Sequence, residues 1–281
     1  MQTTNNVALL SEKQFDEQGS RQRCLQMRRR ILEVSQMVPA LHIGGSFSCL
    51  EMVESIYSHC LRKVSGTFHD TFIISKGHGC LAQYVNLEHY GILPKSALDL
   101  FCKPDGVLGT HPDLGIPGVE ASTGALGHGL GIGMGMANAD KILGADRNVY
   151  VVISDGELQE GSIWENILLA PALKLNRLVV LADLNDFQSL ARMSETHPNF
   201  YPLIDKIKAF GWECKEVNGH NAKSIFDAIA NRSGEAPFFV ACKTVKGKGV
   251  AFMENQPIWH FRSPNIQEYE RALQELVEVY E

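Results

Sequence analysis

Four short runs of β-branched and aromatic residues punctuate this chain: TFIIS at 71–75, VYVVIS at 149–154, LVVLADL at 178–184 and FFVACKTV at 238–245. Between and before them lie longer stretches of helical periodicity: LEMVESIYSHCLRKV (50–64), SIWENILLAPALKLN (162–176) and AKSIFDAIANRSG (222–234). Near-continuous apolar strands alternating with amphipathic helices are the pattern of βαβ units, in which a parallel sheet is buried on both faces. The expected fold is therefore α/β: a doubly wound parallel sheet flanked by helices on both faces, preceded by helices and closed by a helix near 266–280. No internal repeat or low-complexity linker interrupts the pattern, so residues 1–281 read as one domain with an N-terminal helical extension.

At 281 residues and 44% hydrophobic content the chain can bury a sizeable core. A net charge of −6 with dispersed Lys and Arg gives no footprint for nucleic acid or an anionic membrane. The one basic run, RQRCLQMRRR at 21–30, reads as a solvated helix face. The seven cysteines are widely spaced and never form a CxxC pair, which fits reduced thiols in a cytoplasm better than disulfides or zinc. The N-terminal MQTTNNVALLSEKQFDEQ lacks a leader pattern, and no run of about 18 apolar residues suggests a membrane span.

Glycine crowds GTHPDLGIPGVEASTGALGHGLGIGMGMANA, residues 109–139. A dinucleotide fingerprint starting at Gly127, Gly129, Gly131 or Gly133 would need its third glycine at Ile132, Met134, Met136 or Asn138, and KGKG at 246–249 lacks the upstream glycine of a P-loop. Two readings stay open: a loop that touches a ligand phosphate, or a glycine-spaced helix from 127 to 139 that lets another backbone approach closely.

Two polar residues cap adjacent strands. Asp155 follows VVIS directly, and Asn185 ends the next strand thirty positions later, about the length of one βαβ crossover. Ligands of open parallel sheets bind beyond the carboxyl ends of the strands. An aspartate and an asparagine side by side there offer hard oxygens, and Mg²⁺ typically takes one or two carboxylates together with substrate phosphates. An ordinary Asp-Gly turn is the competing reading of the same residues.

SDGELQEGSIWE followed by LVVLADLNDFQ resembles the thiamine-diphosphate motif in its transketolase version. HIGGSFS (42–48), SKGHG (75–79), HPDLGIPGVEASTGALGHGLG (111–131) and KTVKGKGVAFMENQPIWH (243–260) are each similar to a transketolase segment, in the family's order, from about residue 20 onward. The resemblance implies the thiamine-diphosphate-binding fold, with Asp155, Asn185 and the Phe187 backbone carbonyl holding Mg²⁺. Gly156 would let the backbone approach the diphosphate, Gly124 and Leu126 would line the cofactor through main-chain atoms, and Glu157, His78 and His260 would also face it. His42, His78, His111 and His260 match the histidines that meet cofactor and donor sugar, where imidazoles can bond hydroxyls and relay protons. His59, His69, His89, His128, His197 and His220 read as structural. Three positions depart from the family: Ser154 for a glycine, Leu184 before Asn185, and Phe261 for the glycine after the last histidine.

The resemblance further implies an enzyme transferring a two-carbon ketol unit from a ketose, phosphorylated or otherwise anionic, to an aldose. The family's activating glutamate belongs to a second, pyrimidine-binding domain, and after His260 only about twenty residues remain, far short of a domain of about 100. The expectation is a separate partner chain supplying that domain, an α2β2 assembly, and no activity alone. The competing readings are a component of a 2-oxo-acid dehydrogenase, a deoxyxylulose-phosphate-synthase-like enzyme and a silent scaffold subunit.

Overall fold

The computed structural model describes residues 14–280, so the reading of residues 1–13 lies outside the described residues. Helix α1 (Glu17–Ser35) opens the described chain, its first turn capped by the Asp16 carboxylate, which accepts the Gly19 amide at 2.9 Å. Short helices α2 (Ile43–Ser48) and α3 (Leu50–Ser55) follow, and α3 runs on as a π-helical turn, Ile56–Cys60. The helix expected over 50–64 therefore ends early, because Lys63 and Val64 pair with Thr67 and Phe68 in a small hairpin.

Strand β1 (Thr71–Ile74) leads to α4 (Cys80–His89) and then, through the long loop, to α5 (Gly129–Leu143). Strand β2 (Val149–Ser154), helix α6 (Gly161–Ala172) and strand β3 (Leu178–Leu184) continue the winding. Helix α7 (Leu203–Ala209), β4 (Glu213–Asn218), α8 (Ala222–Ala230), β5 (Phe238–Lys243) and α9 (Ile266–Tyr280) complete it. The five strands are all parallel, in the order β1-β2-β3-β5-β4.

The sheet divides two cores. Tyr150 and Val152 of β2, Val179 and Leu181 of β3, and Phe238 and Val240 of β5 share one core with residues of α1 and α8. Their alternates Val151, Ile153, Val180, Ala182 and Phe239 face α5 and α6. Period-two alternation across two apolar faces is why these strands read as unbroken hydrophobic runs. Strand β4 is the exception. It sits at the sheet edge, and its Glu213, Lys215 and Glu216 blunt that edge against further pairing. Its sequence, ECKEVN, carries no apolar run, and it was not among the expected strands.

Two expectations change. The run at 21–30 is not a solvated face: Cys24, Leu25, Met27 and Arg28 are buried. Arg28 is 0% exposed yet ion-paired with Glu51 at 2.6 Å, and it donates to the Phe47 carbonyl and the Lys248 carbonyl. A charge enters the core only with that density of partners. The glycine-spaced helix begins at Gly129 rather than 127, and within the chain Gly133 serves helix-on-sheet packing while Gly131 faces Asn166 of α6. A methyl at Gly133 would lie 2.6 Å from the Val151 side chain, whereas one at Gly135 meets nothing within 4 Å. The outward side is apolar, with Ile132 partly exposed, as are Leu168 and Leu169 of α6.

Candidate active site

The chain leaves β1 and β5 toward one core and β2 and β3 toward the other, since Cys80, Leu81, Val250 and Met253 join the first and Leu158, Met193 and Leu203 the second. Crevices open where neighbouring strands part in this way. A cavity of about 490 Å³ lies there, at the carboxyl ends of the strands. A larger depression, about 620 Å³, runs along β4 and α8 but gathers no comparable set of chemical groups, so chemistry rather than size singles out the first.

Register places the acid-amide pair. Ser154 is opposite Asp183, so Asp155 and Asn185 emerge together from β2 and β3. Asp155 is 0% exposed, with one carboxylate oxygen accepting the Gly156 amide at 2.9 Å and the other the Asp186 amide at 2.5 Å. Burial, then the neighbouring Asp183 carboxylate, push its pKa up to about 7. Asn185 is fixed by its amide nitrogen, which donates to Ser48 Oγ at 3.0 Å, while its Oδ1 accepts the Phe187 amide at 3.0 Å. Phe187 lines the same cavity, beginning a hairpin with Ala191–Arg192.

The four expected histidines converge on the same cavity. His42 is the hub, its ring centroid 5.3 Å from that of His78, 6.1 Å from His111 and 5.2 Å from His260. Burial first, then neighbouring imidazoles and lysines, bring His42 down to about 4, and burial with Lys246 and Lys76 does the same for His260. His78 is held well below its usual range by burial and by Lys76. These three rings are neutral at physiological pH, each able to donate from one nitrogen and accept at the other. In His260 the choice is made: Nδ1 accepts from Lys246 Nζ at 3.1 Å, leaving the proton on Nε2. Among the described residues, His42 Nδ1 is buried without a hydrogen-bond partner.

Gly124 and Leu126 line the cavity as expected. Gly124 adopts φ +144°, and a Cβ there would lie 2.6 Å from the His111 ring, so only glycine fits. Gly156 also lines it, yet a methyl there would make only ordinary contacts with Gln188, 3.5 Å away. The room it leaves is therefore room in the cavity itself. Glu157 departs from expectation. It is 0% exposed and does not line the cavity; one oxygen accepts from Ser75 and from the Gly127 amide at 2.9 Å. A carboxylate so buried is more stable bonding the loop from beneath than facing a polyanion, and it supports the 124–127 loop.

The family model for the thiamine diphosphate binding domain of transketolase matches residues 21–268. The chain belongs to the transketolase family. Among curated relatives, an apulose-4-phosphate transketolase subunit from Phocaeicola vulgatus is 37% identical over 257 residues, 89% of this chain and 91% of that one. The 6-deoxy-6-sulfo-D-fructose transketolase subunit SqwG of a Clostridium species is 32% identical over 95% of this chain and 98% of that one. Human transketolase is 30% identical over 84% of this chain, a match that spans 38% of the human protein. The crystal structure of Campylobacter jejuni transketolase superposes over 94% of this chain with a TM-score of 0.85 at 23% identity, which speaks to the fold.

Within this transketolase-family cleft, several groups carry roles that the motifs alone left unassigned. Asp183, directly behind Asn185, forms a buried ion pair with Lys76 and accepts from Ser48 Oγ at 2.6 Å and from Thr244. Lys246 reaches the cavity from the turn after β5, donating to the Ser189 carbonyl at 2.9 Å and to His260. Burial, then Lys76, lower its pKa to about 8, and it forms no ion pair among the described residues. SKGHG and KGKG contain both lysines, but nothing in either motif says that one is neutralised and the other is not.

The residues suit Mg²⁺ and a diphosphate. Among the described residues no group of three His, Cys, Asp or Glu side chains is arranged for a metal, and the cradle has instead one carboxylate and one amide, a donor set that suits Mg²⁺ shared with phosphate oxygens. Lys246, which forms no ion pair among the described residues, and His42 both line the same cavity.

Proposed function

We propose that this chain is the diphosphate-binding subunit of an enzyme that transfers a two-carbon ketol unit from a ketose to an aldose, using thiamine diphosphate and Mg²⁺. The observation that carries the reading is the meeting of Asp155, Asn185 and Phe187 with His42, His78, His111 and His260 around one cavity. Asp155, Asn185 and the Phe187 carbonyl would hold the metal, and the 124–126 backbone would lie along the cofactor. When bound, thiamine diphosphate supplies the carbanion that accepts and releases the two-carbon unit.

The chain's own contribution is position and proton placement. Neutral His42, His78 and His260 offer donors and acceptors to sugar hydroxyls without adding charge, and His260, protonated on Nε2, presents a donor in a fixed direction. Phe261, 53% exposed, sets its ring 4.6 Å from that of His42, which lines the cavity. Arg262 is engaged elsewhere, paired with Glu268 at 2.6 Å and stacked on Trp259. The departure from the family at this corner therefore acts through Phe261.

The reading includes a separate partner chain that carries the pyrimidine-binding domain, in an α2β2 assembly. Three relatives that match over nearly their whole length are named as subunits, and the apolar outer side of α5 and α6 suits an interface. A cytoplasmic location belongs to the same proposal; all seven cysteines are free thiols, and no described helix is long and apolar enough to cross a membrane. Purified chain and partner, mixed with Mg²⁺ and thiamine diphosphate, are to be assayed against phosphorylated and sulfonated ketose donors with aldehyde acceptors. Ketol transfer by the mixture and none by either chain alone is expected. Decarboxylation of pyruvate without ketol transfer would overturn the proposal in favour of a 2-oxo-acid enzyme.

A further inference from the structure

Lys246 is carried into the cleft by the turn from Thr244 to Lys248, and the far side of that turn rests on a buried charge cluster outside the cavity. Glu51 is its centre, with Arg28 Nη1 at 2.6 Å, Arg28 Nη2 at 2.9 Å and the Tyr280 hydroxyl at 3.1 Å. Two members reach the turn. Arg28 Nε donates to the Lys248 carbonyl at 3.0 Å, and His220 Nε2 accepts the Val245 amide at 2.7 Å. His220 Nδ1 lies 3.1 Å from Glu51 Oε2.

The hydrogen bonds fix the state of the ring. A backbone amide can only donate, so Nε2 of His220 carries no proton; the proton is on Nδ1 and is given to Glu51. The His220 backbone is itself held, its amide donating to Asn218 Oδ1 at 2.9 Å just beyond β4. The turn is thus gripped at Val245 and at Lys248, with Lys246 between the two grips and its ammonium group 3.1 Å from His260 Nδ1. A shift of Val245 moves the base of the Lys246 side chain directly.

We infer that His220 is a positioning residue that sets Lys246 against His260 from outside the cleft, an assignment that rests on the ketol-transfer reading above. The test compares His220→Leu with His220→Gln in the assembled enzyme. Glutamine can accept from Val245 through its amide oxygen and donate to Glu51 through its amide nitrogen; leucine can do neither. His220→Leu is expected to lower kcat/KM by about tenfold to 100-fold, the scale for displacing an active-site group by about an ångström. His220→Gln is expected to stay within about threefold of the parent, and in a Lys246→Met background His220→Leu is expected to cost no more than about a further twofold, because groups acting through one another are not additive. Hydrogen exchange provides a readout independent of turnover: the Val245 amide loses protection in the leucine variant and keeps it in the glutamine variant.

Full additivity of His220→Leu and Lys246→Met, or a glutamine variant as impaired as the leucine one, would overturn the inference. If the parent assembly transfers no ketol unit, the functional reading fails, while the exchange experiment still decides whether His220 holds the turn. Should His220→Leu fail to fold, His220→Asn, polar but too short to span both partners, takes its place with the same expectations.

Discussion

Asp155, the carboxylate proposed to hold the metal, is buried at a cost to the metal-free chain, and Asp155→Asn exposes that cost. Raising its carboxyl from the ordinary 3.8 to about 7 corresponds to about 4 kcal/mol at about 1.36 kcal/mol per pH decade. The sign follows from proton binding. Between pH 4 and 7 the folded chain holds a proton on Asp155 that the unfolded chain has lost, so stability falls as pH rises through that window and levels off above it. Asparagine removes this dependence but supplies only one acceptor where the carboxylate serves both Gly156 and Asp186 amides, a loss of about 1–3 kcal/mol. At pH 8 and in EDTA the variant should therefore be more stable than the parent by about 1–3 kcal/mol, and near pH 4.5 it should be less stable. Urea unfolding across this range measures the difference directly. Excess Mg²⁺ with thiamine diphosphate should reverse the order at pH 8, because ligand binding stabilises only the chain that binds. A difference between parent and variant that does not change with pH would refute the reasoning.

Three further outcomes are expected. Gly124→Ala forces a Cβ to within 2.6 Å of the His111 ring in a backbone conformation that alanine resists, so thiamine diphosphate affinity of the assembled enzyme should fall at least about tenfold by calorimetry. Leu168→Asp, at a position 60% exposed on α6, should leave the isolated chain's unfolding within about 0.5 kcal/mol of the parent yet abolish co-elution with the partner on gel filtration. The imidazole resonances of His42 and His260 should remain those of neutral rings down to about pH 5, since both titrate near 4. With folded values below the ordinary 6.5, the stability they contribute is present above that pH and is lost as pH falls toward 4.

What the sequence discloses follows what each residue touches. Strands β2 and β3 match the sequence reading residue for residue, because both of their faces are apolar and the signal is continuous. Strand β4 escapes it because one edge and much of its surface meet water, so burial imposes no pattern on ECKEVN. Asp155 and Asn185 are legible because each stands at the end of its own strand, where the crossover length alone puts them together. Arg28 is not, since nothing in RQRCLQMRRR distinguishes the arginine that is fully buried against a carboxylate, Glu51, from Arg23 and Arg30, which pair with Glu54 and Glu88 nearer the surface.

The cleft's charge is the least legible property and the one that most shapes its chemistry. The motifs display two lysines and four histidines, which on paper make a strongly cationic site. Folding removes most of that charge: Asp183, 107 positions from Lys76 in the chain, neutralises the first lysine, and burial keeps His42, His78 and His260 neutral. Lys246 remains as the cavity's unpaired lysine, opposite a carboxylate that burial has made reluctant to ionise. Lys246 and Asp155 would hold a diphosphate and its divalent cation, which would supply the anionic and cationic charge that the cavity's own groups lack. On the proposed function, metal and cofactor would bind as a pair, and calorimetry with Mg²⁺ alone at pH 6, where Asp155 is mostly protonated, is expected to show only weak binding.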